Sequence, residues 1–412
     1  VGGSDIKVSI VSKPFIMSAV ILVFAGSIIG SIWMMSLLGA DIPYMRGAFA
    51  LHRTFQVDGF LTLLIMGVGY MIVPRFRNVS LPSEKLAYFS LLLVLFSIAM
   101  SVAVSVTGSN LAALGVFARF FGVTIFAGMT LWTLRVRPRL LRMADYFIAL
   151  SIVTLLAVNV FQVLGYANSS QLGAVQMLLL FPILMVFGIE YKTLPSFLGF
   201  IRPSKKLSLA SLGLASASVA LGLLSMTYSN QALAISFNAA LLGCAITFAG
   251  AVYTFGGFDY SEILSLVQGE KKARYMYTIR HSRLAFIFLY AGIAAAIAFN
   301  GMAGNYILYD LAIHYAAIGF IGITIALYLP LMLPPITGRT IHFTKFNSLP
   351  ILLVIAALAI RTGGDIAIAT HAASGANYFW MLSGWLVVVA LFVFVAMIHS
   401  SMREIGSRVV GI

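Results

Sequence analysis

Twelve apolar runs, each long enough to cross a bilayer, leave this chain little choice of fold. A spanning helix needs about 20 mostly apolar residues, because the hydrocarbon layer is about 30 Å thick and a helix rises about 1.5 Å per residue. Such runs occupy residues 14–39, 48–74, 85–107, 110–134, 144–167, 171–199, 206–227, 231–256, 282–301, 307–333, 347–370 and 376–400. In hydrocarbon every backbone N–H and C=O must be paired within its own segment, so runs of this length are helices. Composition agrees. Of the 412 residues, 61% are hydrophobic and 9% charged, against about a quarter charged in a soluble domain. A soluble fold could not cover this much apolar surface, which excludes a disordered chain, a secreted disulfide scaffold and an ordinary cytosolic enzyme. The single cysteine, Cys244, lies in an apolar run and provides neither a disulfide framework nor a cysteine metal cluster. The run after Lys13 is too long for the core of a cleavable signal and reads as the first span. Connections are mostly short. The longest, 257–281, has room for a short amphipathic helix at the interface.

The charge of +14 would suggest nucleic acid on a soluble protein, but here it is an orientation code. Of the 26 Lys and Arg, all but Arg46, Arg53, Arg119 and Arg361 fall on one side of the alternating spans. Lys7 and Lys13 precede span 1, and most of the others follow the even-numbered spans, as in Arg75, Arg77 and Lys85, or Arg135, Arg137, Arg139 and Arg142. The opposite loops have no Lys or Arg except Arg46 in the first. The positive-inside rule therefore places both termini in the cytoplasm, in a multi-pass protein of the plasma membrane, with no nucleic-acid partner expected.

Three even-numbered spans end alike. Span 2 ends Tyr70-Met-Ile-Val-Pro74-Arg-Phe76, span 6 ends Tyr191-Lys-Thr-Leu-Pro195-Ser-Phe197, and span 10 ends at Pro334-Pro335. The period of about four spans divides the twelve helices into three pseudo-repeated groups, as parallel repeats do in other membrane proteins. The plainer reading is that proline commonly ends a helix at the interface.

Depth separates the six histidines. His281, His342 and His399 lie at cytoplasmic span ends and His371 at an outer end, as interfacial residues do. His52 and His314 lie inside spans 2 and 10, at similar depth in the outer third and at nearly matching distances before Pro74 and Pro334. An imidazole in hydrocarbon is costly unless paired or ligated. Two neutral histidines on two helices supply both axial ligands of a haem iron; the alternative is two unrelated helix–helix hydrogen bonds. Arg53, Arg119 and Arg361 share that depth. Arginine forks suit the two propionates of haem, although Asp58, Asp310 and Asp365 in the same half of the membrane are competing partners. Glu190, deep in span 6, is expected to pair with Lys192 or to face the headgroups, with a proton or quinol role as the alternative.

Twelve spans in three arcs, with histidines on spans 2 and 10, resemble subunit I of the haem–copper oxidases. In that superfamily these two helices hold the low-spin haem. Two segments also resemble the NnrS family of haem- and copper-associated membrane proteins. One is HRTFQVDGF from His52 to Phe60, continuing to Gly67, Pro74 and Arg75. The other is HYAAIGFIG from His314 to Gly322, continuing to Pro334 and Thr337-Gly338-Arg339. The departures are specific. Spans 6 and 7 have no histidine for the oxidase copper. Ala312 stands where oxidases place the ligand of the reactive haem, and Ile336 replaces the histidine of the NnrS G-H-T-G-R stretch. The resemblance therefore implies a retained low-spin site without a binuclear oxygen- or NO-reducing centre, and copper is not expected.

The expectation is one b-type haem between His52 and His314, near the outer face, with Arg53, Arg119 or Arg361 at its propionates. With both axial positions filled, the iron would transfer electrons rather than bind substrate. The expected partners are other membrane subunits of a respiratory assembly, an extracytoplasmic redox protein and a quinol pool. A haem-free transporter or structural subunit is the alternative from another class, and an NO- or metal-stress protein a third.

Overall fold

The computed structural model describes residues 11–37, 42, 47–108, 111–136, 142–166, 172–197, 202–256, 265, 268–302, 305–336, 348–369 and 376–401. Twelve helices among them are long and apolar enough to span a membrane. They are α1 (Ser12–Ser36), α2 (Ala48–Arg77), α3 (Glu84–Thr107), α4 (Ala112–Arg135), α5 (Met143–Val163), α6 (Leu172–Leu194), α7 (Lys205–Tyr228), α8 (Gln231–Ala251), α9 (Lys272–Met302), α10 (Tyr306–Met332), α11 (Leu349–Ile368) and α12 (Phe379–His399). No strand occurs among the described residues. The chain is an all-α, multi-pass membrane protein. Local chemistry sets several ends. The Ser83, Asn230 and Asn305 side chains accept the first free N–H groups of α3, α8 and α10. Asn78, Gly108 and Ser229 take the left-handed conformation that stops α2, α3 and α7.

Burial divides the spans by role. The most apolar windows of α2, α6 and α10 are 89%, 78% and 61% buried, while those of the other nine lie between 17% and 44%. One inner helix per group of four is the three-arc arrangement the repeat anticipates. Each inner helix is fenced by outer pairs, α3 with α4, α7 with α8 and α11 with α12, and α1 packs against both α2 and α12.

The first two arcs repeat in detail. Tyr70 on α2 meets the Ser90 hydroxyl on α3 at 3.0 Å and the Phe126 ring on α4 edge-on at 5.2 Å. Tyr191 on α6 lies beside Ser211 on α7 and meets Phe248 on α8 at 4.7 Å. Both serines stand twenty residues after their tyrosine. The third arc keeps neither tyrosine nor serine there, and Pro330 precedes Pro334 by the same four residues.

Span 9 begins earlier than its apolar run. The basic stretch before it is continuous with the span in one helix, Gly269–Met302, of 34 residues. That helix is about 50 Å long, so its basic first turns extend past a hydrocarbon layer of about 30 Å. His342 and His371 lie outside the described residues, as do residues 257–264, which open the expected interfacial segment.

Candidate functional site

Two of the three inner helices change their winding at a histidine. In α2 the α-helical turn ending at Arg53 passes into a π-helical segment, Thr54–Leu61. In α10 the α-helix ends at His314 and a π-helical segment of the same length, Tyr315–Gly322, follows. α6, the third, has no such segment. A π turn inserts an extra residue, rotates the side chains that precede it and is found chiefly at functional sites.

His52 is seated by glycines. Its Nδ1–H donates to the Gly26 carbonyl of α1 at 2.7 Å. A side chain at Gly30 would put its Cβ 2.4 Å from Nδ1 of the same ring, so only glycine lets α1 approach this closely. The pair forms the small-xxx-small spacing that brings membrane helices together. One turn further along α2, Gln56 Nε2 donates to the Ser27 hydroxyl at 2.9 Å and holds the same interface.

His314 is held by its own helix. Its Nδ1–H faces the Asp310 carbonyl at 2.9 Å and the Asp310 carboxylate at 3.2 Å. That carboxylate is forked by Arg361 of α11, with Nε to Oδ2 at 2.5 Å and Nη2 to Oδ1 at 2.6 Å. Asp365, one turn along α11 and 1% exposed, lies beside this pair, and neither of its oxygens has a donor among the described residues. In both histidines Nδ1 carries the proton, because its partner is a carbonyl, which can only accept. In a neutral imidazole held this way Nε2 is the unprotonated nitrogen, the tautomer a metal-ligating histidine needs.

Both imidazoles line one cavity of about 220 Å³, bounded by α1, α2, α10, α11 and α12 and touched by α6 at Val175 and Leu179. On α12 the lining runs from Trp380 to Val395, about 22 Å of helix. Its walls are mostly apolar, with Ser27, Ser31, Gln56 and Ser383 among them, and Arg53, Tyr306, Tyr309, Asp310 and Arg361 gather at the end away from the basic loops. Trp380 lies at that end, buried, with no acceptor for its Nε1–H among the described residues.

The three arginines separate. Arg53 and Arg361 line the cavity, but the fork of Arg361 is occupied by Asp310. Arg119 binds Asp58 at 2.6 Å and the Gln162 amide oxygen, tying α4 to α2 and α5. It is not among the cavity-lining residues. Glu190 does not pair with Lys192. Lys192 Nζ donates to the Phe76 carbonyl at 3.2 Å and lies 4.0 Å from that ring's centroid. Glu190 is 2% exposed, with Oε2 lacking a partner, in a second cavity of about 90 Å³ that also holds Thr324 and Tyr328. The Gly26 and Gly30 seat and the Asp310 bond to His314 escaped sequence reasoning, although the G-x-x-x-G and D-x-x-x-H spacings were there to find. The described residues contain no group of three or more His, Cys, Asp or Glu arranged for a bare metal ion.

No family model matches this chain, and no curated protein does, so the likeness to NnrS rests on its two segments alone. Among solved structures the chain is similar to a heme-copper terminal oxidase dimer determined by cryo-EM. The TM-score is 0.65 at 12% identity, over 96% of this chain and 85% of that one. At that identity the likeness speaks for the fold: the chain has the fold of haem–copper oxidase subunit I.

Proposed function

We propose that this protein is a b-type haem protein of the membrane, with His52 and His314 as the two axial ligands, acting as the electron-transfer subunit of a redox complex. The observation that carries the reading is the pair of imidazoles on the two π-wound helices, each with Nδ1 held and Nε2 available, lining one cavity. The donor set suits a group that brings its own equatorial ligands and needs two more, rather than a bare ion, which needs at least three from the protein. Haem would supply a one-electron couple. This chain's residues orient the ligands, exclude water through the apolar walls and receive the two carboxylates at the polar end. Arg53 and the Trp380 indole N–H are the donors there. Arg361 acts through Asp310, and Arg119 stands behind Asp58.

By the positive-inside rule the polar end of the cavity faces outward, in a plasma-membrane protein with both termini in the cytoplasm. The site then lies within reach of an extracytoplasmic redox protein, and other membrane subunits or a quinol pool would carry electrons across the remaining depth. A haem-free transporter calls for helices unwound at mid-membrane; α2 and α10 change their winding but stay helical. The test is a reduced-minus-oxidised visible spectrum of the purified protein with pyridine haemochrome analysis. Paired b-type bands at about one haem per chain support the reading. A colourless protein, or copper in place of haem iron, sinks it.

A further inference from the structure

The two histidines are held by unlike partners. His52 donates only to a neutral carbonyl, that of Gly26 at 2.7 Å. His314 donates to a carbonyl and also to a carboxylate, Asp310 Oδ1 at 3.2 Å. The side chains of His314, Asp310 and Arg361 are 17%, 4% and 12% exposed. Water therefore does little to screen their charges, and each is felt several-fold more strongly than at a surface.

We propose that Asp310 is a positioning residue that sets the redox balance of the site through His314, and that Arg361 opposes it. This rests on the haem reading above. A carboxylate on Nδ1–H pulls the proton toward itself and makes Nε2 a stronger electron donor to a metal. A stronger axial donor favours the oxidised iron. Arg361 does the reverse: its fork neutralises the carboxylate and limits how much charge reaches the ring. The couple in question is the transfer of one electron to or from the iron, with no bond made or broken.

The arrangement makes opposite predictions for its two halves. Asp310→Asn removes the negative charge and leaves Arg361 uncompensated, and both effects favour the reduced form. Arg361→Gln leaves Asp310 uncompensated and favours the oxidised form. A mediator-poised spectroscopic titration of the full-length protein reads the midpoint of each. The expected result is at least a tenfold shift of the one-electron equilibrium upward in Asp310→Asn, about 59 mV, and a shift of opposite sign in Arg361→Gln. Simple loosening of the site would move both variants the same way, and that outcome overturns the proposal. So does an unchanged midpoint in Asp310→Asn with the bands intact, which leaves the haem reading standing. A wild-type protein without b-type bands overturns both. If Asp310→Asn does not accumulate, Arg361→Gln is compared with Arg361→Lys, which keeps the charge. The glutamine variant should shift downward by tenfold or more and the lysine variant by under threefold; equal shifts overturn the proposal.

Discussion

The two sides of α10 border very different interiors. Toward α2, α11 and α12 it faces the 220 Å³ cavity, with His314 and Asp310 at its rim and small side chains at Ala317 and Gly322. Toward α6, α8 and α9 it presents Phe320, six residues past His314, to a stack of phenylalanines. Phe187 lies flat on Phe248 at 4.1 Å, Phe286 stacks on Phe248 at 5.8 Å, and Phe320 meets Phe286 edge-on at 5.4 Å. All four rings are fully buried. The backbone arrangement offers interior space on both sides of one helix, and side-chain volume decides which space stays open. The three-arc fold is retained on both sides, but a cavity flanked by ligating residues is found on one.

That contrast can be attacked from either side. The largest stability effect should come from the filled side. Phe320→Ala removes a ring that touches two others, and in a bilayer the loss is packing rather than hydrophobic burial. A cost of about 3 kcal/mol is expected, read as a lower thermal midpoint in detergent, with any pigment band unmoved in wavelength. On the open side Gly30→Ala should cost about 1–3 kcal/mol by overpacking, and it should also displace the His52 ring and sharply reduce haem content. A Gly30→Ala protein with full haem content would show that the seat of His52 on α1 is dispensable. The smallest effect is expected at the edge of the site. Tyr315→Phe breaks the 2.6 Å bond between the Tyr315 and Thr362 hydroxyls that joins α10 to α11. It should cost about 1 kcal/mol and leave the spectrum alone.

Much of the scaffold was readable because its signals are local. A run of apolar residues must be a helix in hydrocarbon, and most span ends fall within a few residues of the expected ones. Span 9 is the exception: a run of basic residues lowers hydropathy without lowering helix propensity, so the helix began earlier than the apolar window did. The two histidines stood out for the same reason, as polar groups at matching depth in apolar runs. Their surroundings were harder to read. The π segments lie where α2 and α10 pack closely against α1 and α9: Leu22 stands where a side chain at Gly59 would be, and Phe288 where one at Gly319 would be. Glu190 and Lys192 are two apart on one helix, point to different faces and take separate environments, which adjacency in sequence concealed. The choice of Asp310 over Asp365 as the partner of Arg361 likewise depends on the distance between α10 and α11, which no spacing within either helix encodes.

The central claim is that His52 and His314 together hold a haem. The most direct measurement is the dithionite-reduced spectrum of His52→Ala and of His314→Ala, each purified beside the parent protein. The parent should show paired b-type bands, and each substitution should abolish them or convert them to a five-coordinate, high-spin spectrum. Low-spin bands that survive unchanged in both variants would contradict it.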